Sequence, residues 1–94
     1  MKVGLVTLYL RLPAMTSLKE KRSALRMLLT DIERRGPAFA AAEVDQLDDR
    51  ELATVRVAHV SNDVRHTTSV LTKLCSRLEH RKDWTLEHYD LEIL

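Results

Sequence analysis

Three cations recur at helical spacing early in the chain. Lys19, Arg22 and Arg26 stand three and four residues apart, and on a helix such steps bring side chains to one flank. A basic flank beside the free amides of a helix N-terminus attracts phosphate, so the chemistry suggested is contact with a nucleic-acid backbone. Arg11 and Lys21 complete a candidate nucleic-acid-binding set of Arg11, Lys19, Lys21, Arg22 and Arg26. Lys21 differs from the others. At 100° per residue it projects within the stripe of Leu18, Leu25 and Ile32. A charged head there must reach past the end of the sheet or meet a carboxylate. The competing reading is that Glu43, Asp45, Asp48 and Asp49 neutralise the basic groups, because surface charges usually solvate and pair.

Other chemistry-bearing residues point to bland roles. Asp45, Asp48, Asp49 and Glu51 offer oxygens to a hard cation, but they match no calcium-loop spacing and lack its central glycine, so a solvated turn is expected. His59 falls on the apolar face of its segment, whereas His66 points away from the stripe of its own. A shared metal is therefore not expected, and His59 reads as a neutral packed side chain. The one cysteine, Cys75, excludes an internal disulfide framework and a Cys-built zinc site, and reads as a small core residue. No nucleophile has an adjacent general base. A protein without catalysis, cofactor or bound metal is the expectation.

The elements that position these residues follow from periodicity. Val6, Leu8, Leu10 and Leu12 alternate with Thr7, Tyr9 and Arg11, a strand over residues 2–12 with one buried face, ended by Pro13. Ser17-Leu18-Lys19-Glu20 is a capping box. The stripe of Leu18, Leu25, Leu28, Leu29 and Ile32 carries that helix to about Arg35, where Gly36-Pro37 stops it. Residues 38–45 form an Ala-rich second strand, and Val55, Val57 and His59 mark a third. Ser61-Asn62-Asp63 supplies N-cap candidates for a second helix with Val64, Leu71, Leu74, Cys75 and Leu78 on its stripe. A last strand over 85–94 places Tyr89, Leu91 and Ile93 on one face.

Strand, helix, strand, strand, helix, strand with right-handed crossovers puts both helices on one face. This predicts an α+β, ferredoxin-like βαββαβ sandwich whose four-stranded antiparallel sheet has the order 4-1-3-2. Ninety-four residues close one core, so residues 1–94 are read as a single domain. The chain is 45% hydrophobic and 31% charged, with net charge +1, a globular balance rather than a polyanion trap. No apolar run spans a bilayer, and the start enters a strand pattern without a leader, so a cytoplasmic protein is expected.

Ser17-Leu18-Lys19-Glu20-Lys21-Arg22-Ser23 after a Leu-rich strand, Ala42-Glu43-Val44, Val60-Ser61-Asn62-Asp63 and the terminal Tyr89-Asp90-Leu91-Glu92-Ile93-Leu94 together resemble the YlxP-like family of small bacterial proteins. The resemblance covers the whole chain and implies a ferredoxin-like fold. Genes for such proteins often neighbour those for translation initiation and ribosome maturation, which implies a ribosome- or RNA-related role, with the ribosome or rRNA as the expected partner. Members often carry an aromatic, commonly Trp, where Asp49-Arg50 stand here.

Other tenants of this topology fit less well. An RNA-recognition motif stacks bases on central-strand aromatics, but the open face here offers Tyr9 on the first strand against Arg56 and Ala58 on the third. An acylphosphatase-like site resembles an arginine after the first strand with an asparagine at the end of the second. Arg11 stands near the first position, but residues 13–17 lack phosphate-wrapping glycines and Asn62 falls at the opposite end. An alternative to RNA binding is a homodimer or protein-interaction module with no nucleic-acid ligand. It would use the open face of Val3, Leu5, Thr7, Ala58 and Leu86, or a sheet edge.

Overall fold

A strand with alternate apolar residues needs cover on one face, and two amphipathic helices provide it. The computed structural model describes residues 1–13 and 17–94. Its elements are β1 (Lys2–Arg11), α1 (Leu18–Glu33), β2 (Phe39–Asp45), β3 (Leu52–Ser61), α2 (Val64–Glu79) and β4 (Thr85–Ile93). The antiparallel sheet has the order β2-β3-β1-β4, which is the predicted order read from the other edge. This is the ferredoxin-like α+β sandwich.

The core lies between sheet and helices. Val6, Leu8 and Leu10 of β1 and Ala53, Val55 and Val57 of β3 meet Leu25, Leu28 and Ile32 of α1 and Leu71, Leu74, Cys75 and Leu78 of α2. Helix α1 covers β2, while α2 lies on β1, β3 and β4. Gly4 permits that approach. A Cβ there would collide with Thr67 Cγ2 and Leu71 Cδ1. Ala-rich β2 stays half exposed because it is an edge strand covered by one helix.

Two expectations need correction. Leu86 does not join the open face. The β1–β4 register slips between Tyr9 and Leu10, so His88 pairs with Tyr9 and Leu86 with Leu10. The bulge absorbs Glu87 and turns Leu86 onto the core. Val64 also leaves its stripe: it is 40% exposed in the first turn of α2, beyond the end of the sheet that would cover it. The loop expectation for residues 13–17 falls largely on 14–16, outside the described residues.

Candidate nucleic-acid interface

The start of α1 is fixed by its cap. Ser17 has extended backbone and its Oγ accepts from Glu20 N at 3.2 Å. Lys21 N donates to Ser17 O at 2.8 Å, the first turn's backbone bond. From this start the apolar stripe turns inward and Lys19, Arg22 and Arg26 turn to solvent. Arg22, Arg26, Thr30 and Arg34 continue along the helix four residues apart, each step rising about 6 Å. Arg34 was absent from the predicted set, although the same spacing carried it. Lys19, Arg22, Arg26 and Arg34 enter no ion pair among the described residues.

Two members of the predicted set are committed elsewhere. Lys21 is wholly buried. Its Nζ donates to Gln46 O at 2.7 Å and Asp49 O at 2.5 Å, and lies 3.3 Å from Glu43 Oε2. That carboxylate oxygen is buried without a hydrogen-bond partner, so its link to the ammonium is charge attraction rather than a directed bond. Lys21 is therefore withdrawn from the nucleic-acid set: its side chain is enclosed and its donors face the β2–β3 turn. Gln46 adopts a left-handed φ of 60°, costly for a residue with a Cβ, and the lysine holds its carbonyl in that turn. Arg11 is exposed but bridged, with Nε 2.9 Å from Glu87 Oε2 and Nη1 3.1 Å from Glu51 Oε2. Glu87, by hydrogen bond and charge, raises the pKa of this guanidinium further.

The hairpin acids do not neutralise the α1 row. Asp45 Oδ1 accepts from Gln46 N at 2.8 Å. Asp49 Oδ1 accepts from Leu52 N and Glu51 N, each at 2.8 Å, and these two amides, Leu52 first, lower its pKa. Turn formation thus uses the Asp49 side chain. Arg81, arriving after α2, is chelated by Asp83 at 3.0 and 2.8 Å and approaches Asp31 at 3.9 Å. It lines a cleft with Arg26, Met27, Thr30 and Arg34.

Charge separates by segment. The helix-bearing segments, residues 17–35 and 62–84, hold eleven Lys and Arg against six Asp and Glu, a net +5. The strand-bearing remainder holds four against eight, a net −4. A small overall charge conceals basic helical segments and acidic strand-and-turn segments, with Asp48, Asp49 and Glu51 in the β2–β3 turn. On the sheet side Tyr9 stacks on His88 at 5.5 Å and pairs with Thr54, while Arg56 and Ala58 pair with Thr7 and Leu5 further along.

Asp63 Oδ1 accepts from Arg65 N at 2.9 Å and caps α2, leaving Asn62 exposed beside it. His59 is buried, and burial, then the charge of His66, lowers its pKa. Contrary to the expected divergence, the His59 and His66 rings meet edge to face at 5.6 Å, because His66 lies one turn into a helix that starts beside the end of β3. Burial pushes the Cys75 thiol up to about 11. Among the described residues no three His, Cys, Asp or Glu side chains converge on a metal position, and no helix is long and apolar enough to cross a membrane.

Residues 3–91 match the sequence model of the family described as "Protein of unknown function (DUF503)", and the chain belongs to that family. No curated protein matches it.

Proposed function

We propose that this DUF503 chain binds the phosphate backbone of RNA through the exposed row on α1, without catalysis, as a cytoplasmic translation- or ribosome-associated factor. The observation that carries the reading is the freedom of Lys19, Arg22, Arg26 and Arg34: three lie on α1 and the fourth is its C-cap, and all face solvent and enter no ion pair among the described residues. Cations in such a row displace counterions from a nucleic acid, which gives affinity without sequence choice. The YlxP-like segments, Ser17–Ser23 above all, support an association with translation through the gene neighbourhood they imply. Co-sedimentation with ribosomes at low salt tests it. Lys19→Glu with Arg26→Glu is expected to release the protein from the ribosomal fraction, and an unchanged profile would refute the reading.

A second reading has its own support. The open sheet face is partly apolar, with Val3, Leu5, Ala40, Ala42, Ala58 and Val60 around exposed Arg56. Acidic Asp90 and Glu92 lie on β4 of the same sheet. A two-fold axis through this face would bring Arg56 of one copy toward those acids of another, a self-complementary pattern. Light scattering at tens of micromolar decides it: a monomeric mass ends the dimer.

A further inference from the structure

A second cationic cluster lies away from the α1 row, where the end of α1 and the flank of α2 meet the strand ends that carry Phe39 and His59. A cleft of about 500 Å³ opens there, lined by Arg35, Lys73 and Arg77 together with the rings of Phe39, His59 and His66, and by two aliphatic side chains of α2. No carboxylate lines it. Lys73 and Arg77 follow one another at i and i+4, an arrangement that costs a helix stability through like-charge repulsion, and neither enters an ion pair among the described residues. Arg35 reaches Asp31 at 3.5 Å and keeps further donors for an anion.

The rings form one connected group. Phe39 and His59 lie 4.8 Å apart, and His59 and His66 5.6 Å apart. Nδ1 of His59 is occupied by Thr67 Oγ1 at 3.2 Å, and Thr67 Oγ1 in turn lies 2.5 Å from Ser61 Oγ. That chain fixes the imidazole. Its Nε2 has no protein partner, yet it is not sealed off: among the described residues the one buried, partnerless side-chain polar atom is Glu43 Oε2. His59 is a lining residue of the cleft although only 4% of its surface is exposed.

Three cations without a lining carboxylate call for an anion, and adjoining aromatic faces call for a flat, π-bearing body. The volume is that of a small-ligand cleft. We propose that this cleft binds a nucleotide, the phosphate held by Lys73, Arg77 and Arg35 and the base set against Phe39, His59 and His66. The proposal goes beyond backbone binding by the α1 row and stands apart from it, since the cleft shares no cation with that row. A free mononucleotide and the terminal nucleotide of a strand present the same chemistry.

The test is an amide chemical-shift titration of the full chain with adenosine 5′-monophosphate, adenosine, inorganic phosphate and a 5′-phosphorylated trinucleotide. Adenosine 5′-monophosphate is expected to shift amides around Phe39, His59, His66 and Lys73 saturably. Adenosine and phosphate alone should bind at least about tenfold more weakly, each lacking one half of the recognition. Lys73→Gln with Arg77→Gln, both exposed, should weaken the nucleotide about tenfold or more, while Arg22→Gln with Arg26→Gln leaves it unchanged. A trinucleotide that saturates the shifts of these same cleft amides at lower concentration than the mononucleotide, also in the Arg22→Gln with Arg26→Gln variant, identifies a strand end as the source; equal affinity identifies the free nucleotide. No saturable shift at millimolar adenosine 5′-monophosphate, or equal affinity after Lys73 and Arg77 are changed, overturns the proposal.

Discussion

Lys21 shows how one residue can carry a charge that serves the fold rather than a ligand. Its ammonium is enclosed by two turn carbonyls and the Glu43 carboxylate. Removing the ammonium leaves those carbonyls without their donor and a buried carboxylate unpaired. Lys21→Met is therefore expected to lower unfolding free energy by about 3–5 kcal/mol, measured by urea denaturation. Lys19→Met, two residues away and exposed, should change it by less than about 0.5 kcal/mol. Equal effects would show that Lys21 is not locked. Sequence spacing placed Lys21 in the apolar stripe and left it either to reach past the sheet or to meet a carboxylate, so its pairing was legible as one of two outcomes while its place in the nucleic-acid set was wrong. Its carbonyl ligands were not legible, because they depend on the left-handed turn at Gln46, which no glycine marks. Cys75 offers a second check at this scale. With its thiol pushed up to about 11 by burial, it should resist a thiol-reactive reagent in the native protein and react once denatured. Rapid native labelling would contradict its placement in the core.

At the scale of elements, the critical contact is that of α2 on β1 through Gly4. A methyl group there meets Thr67 and Leu71, so Gly4→Ala should cost about 1–3 kcal/mol by forcing helix and strand apart. A thermal melt unchanged from wild type would mean that the two elements give way freely. The helices and inner strands were legible because one period runs through each, as in Val6, Leu8 and Leu10. The β4 slip was not. A bulge changes which residues face inward without changing residue types, and placing Leu86 requires knowing that Tyr9 pairs with His88. The meeting of His59 with His66 was missed for a related reason: helical phase gives a direction around one axis, not the position of a neighbouring strand end.

For the molecule as a whole, titration and charge distribution make separate predictions. His59 is depressed by burial and by His66, so its neutral form is favoured in the fold. Its contribution is complete above the unfolded value of about 6.5 and declines as pH falls below it. Asp49, held down by backbone amides, and Asp83, held down by Arg81, act in the same direction. Their contributions are present above the unfolded carboxyl range and lost as pH falls through the lower folded values. Melting temperature should therefore drop on acidification in two stages, the first from His59 as pH falls below its unfolded value of about 6.5. His59→Asn should flatten that first stage, and an unchanged slope would assign it to other groups.

The free cations of α1 belong to the segments that carry the net positive charge. The row was legible from spacing, whereas the diversion of Arg11 into Glu51 and Glu87 was not, since those partners come from the β2–β3 turn and from β4. The most direct measurement is the salt dependence of RNA affinity, by fluorescence anisotropy, for wild type and for Arg22→Gln with Arg26→Gln. Binding through the α1 row predicts log affinity falling linearly with log salt, with a slope shallower by about 1.4–1.8 in the double variant, two phosphate contacts fewer. Two parallel lines would contradict it.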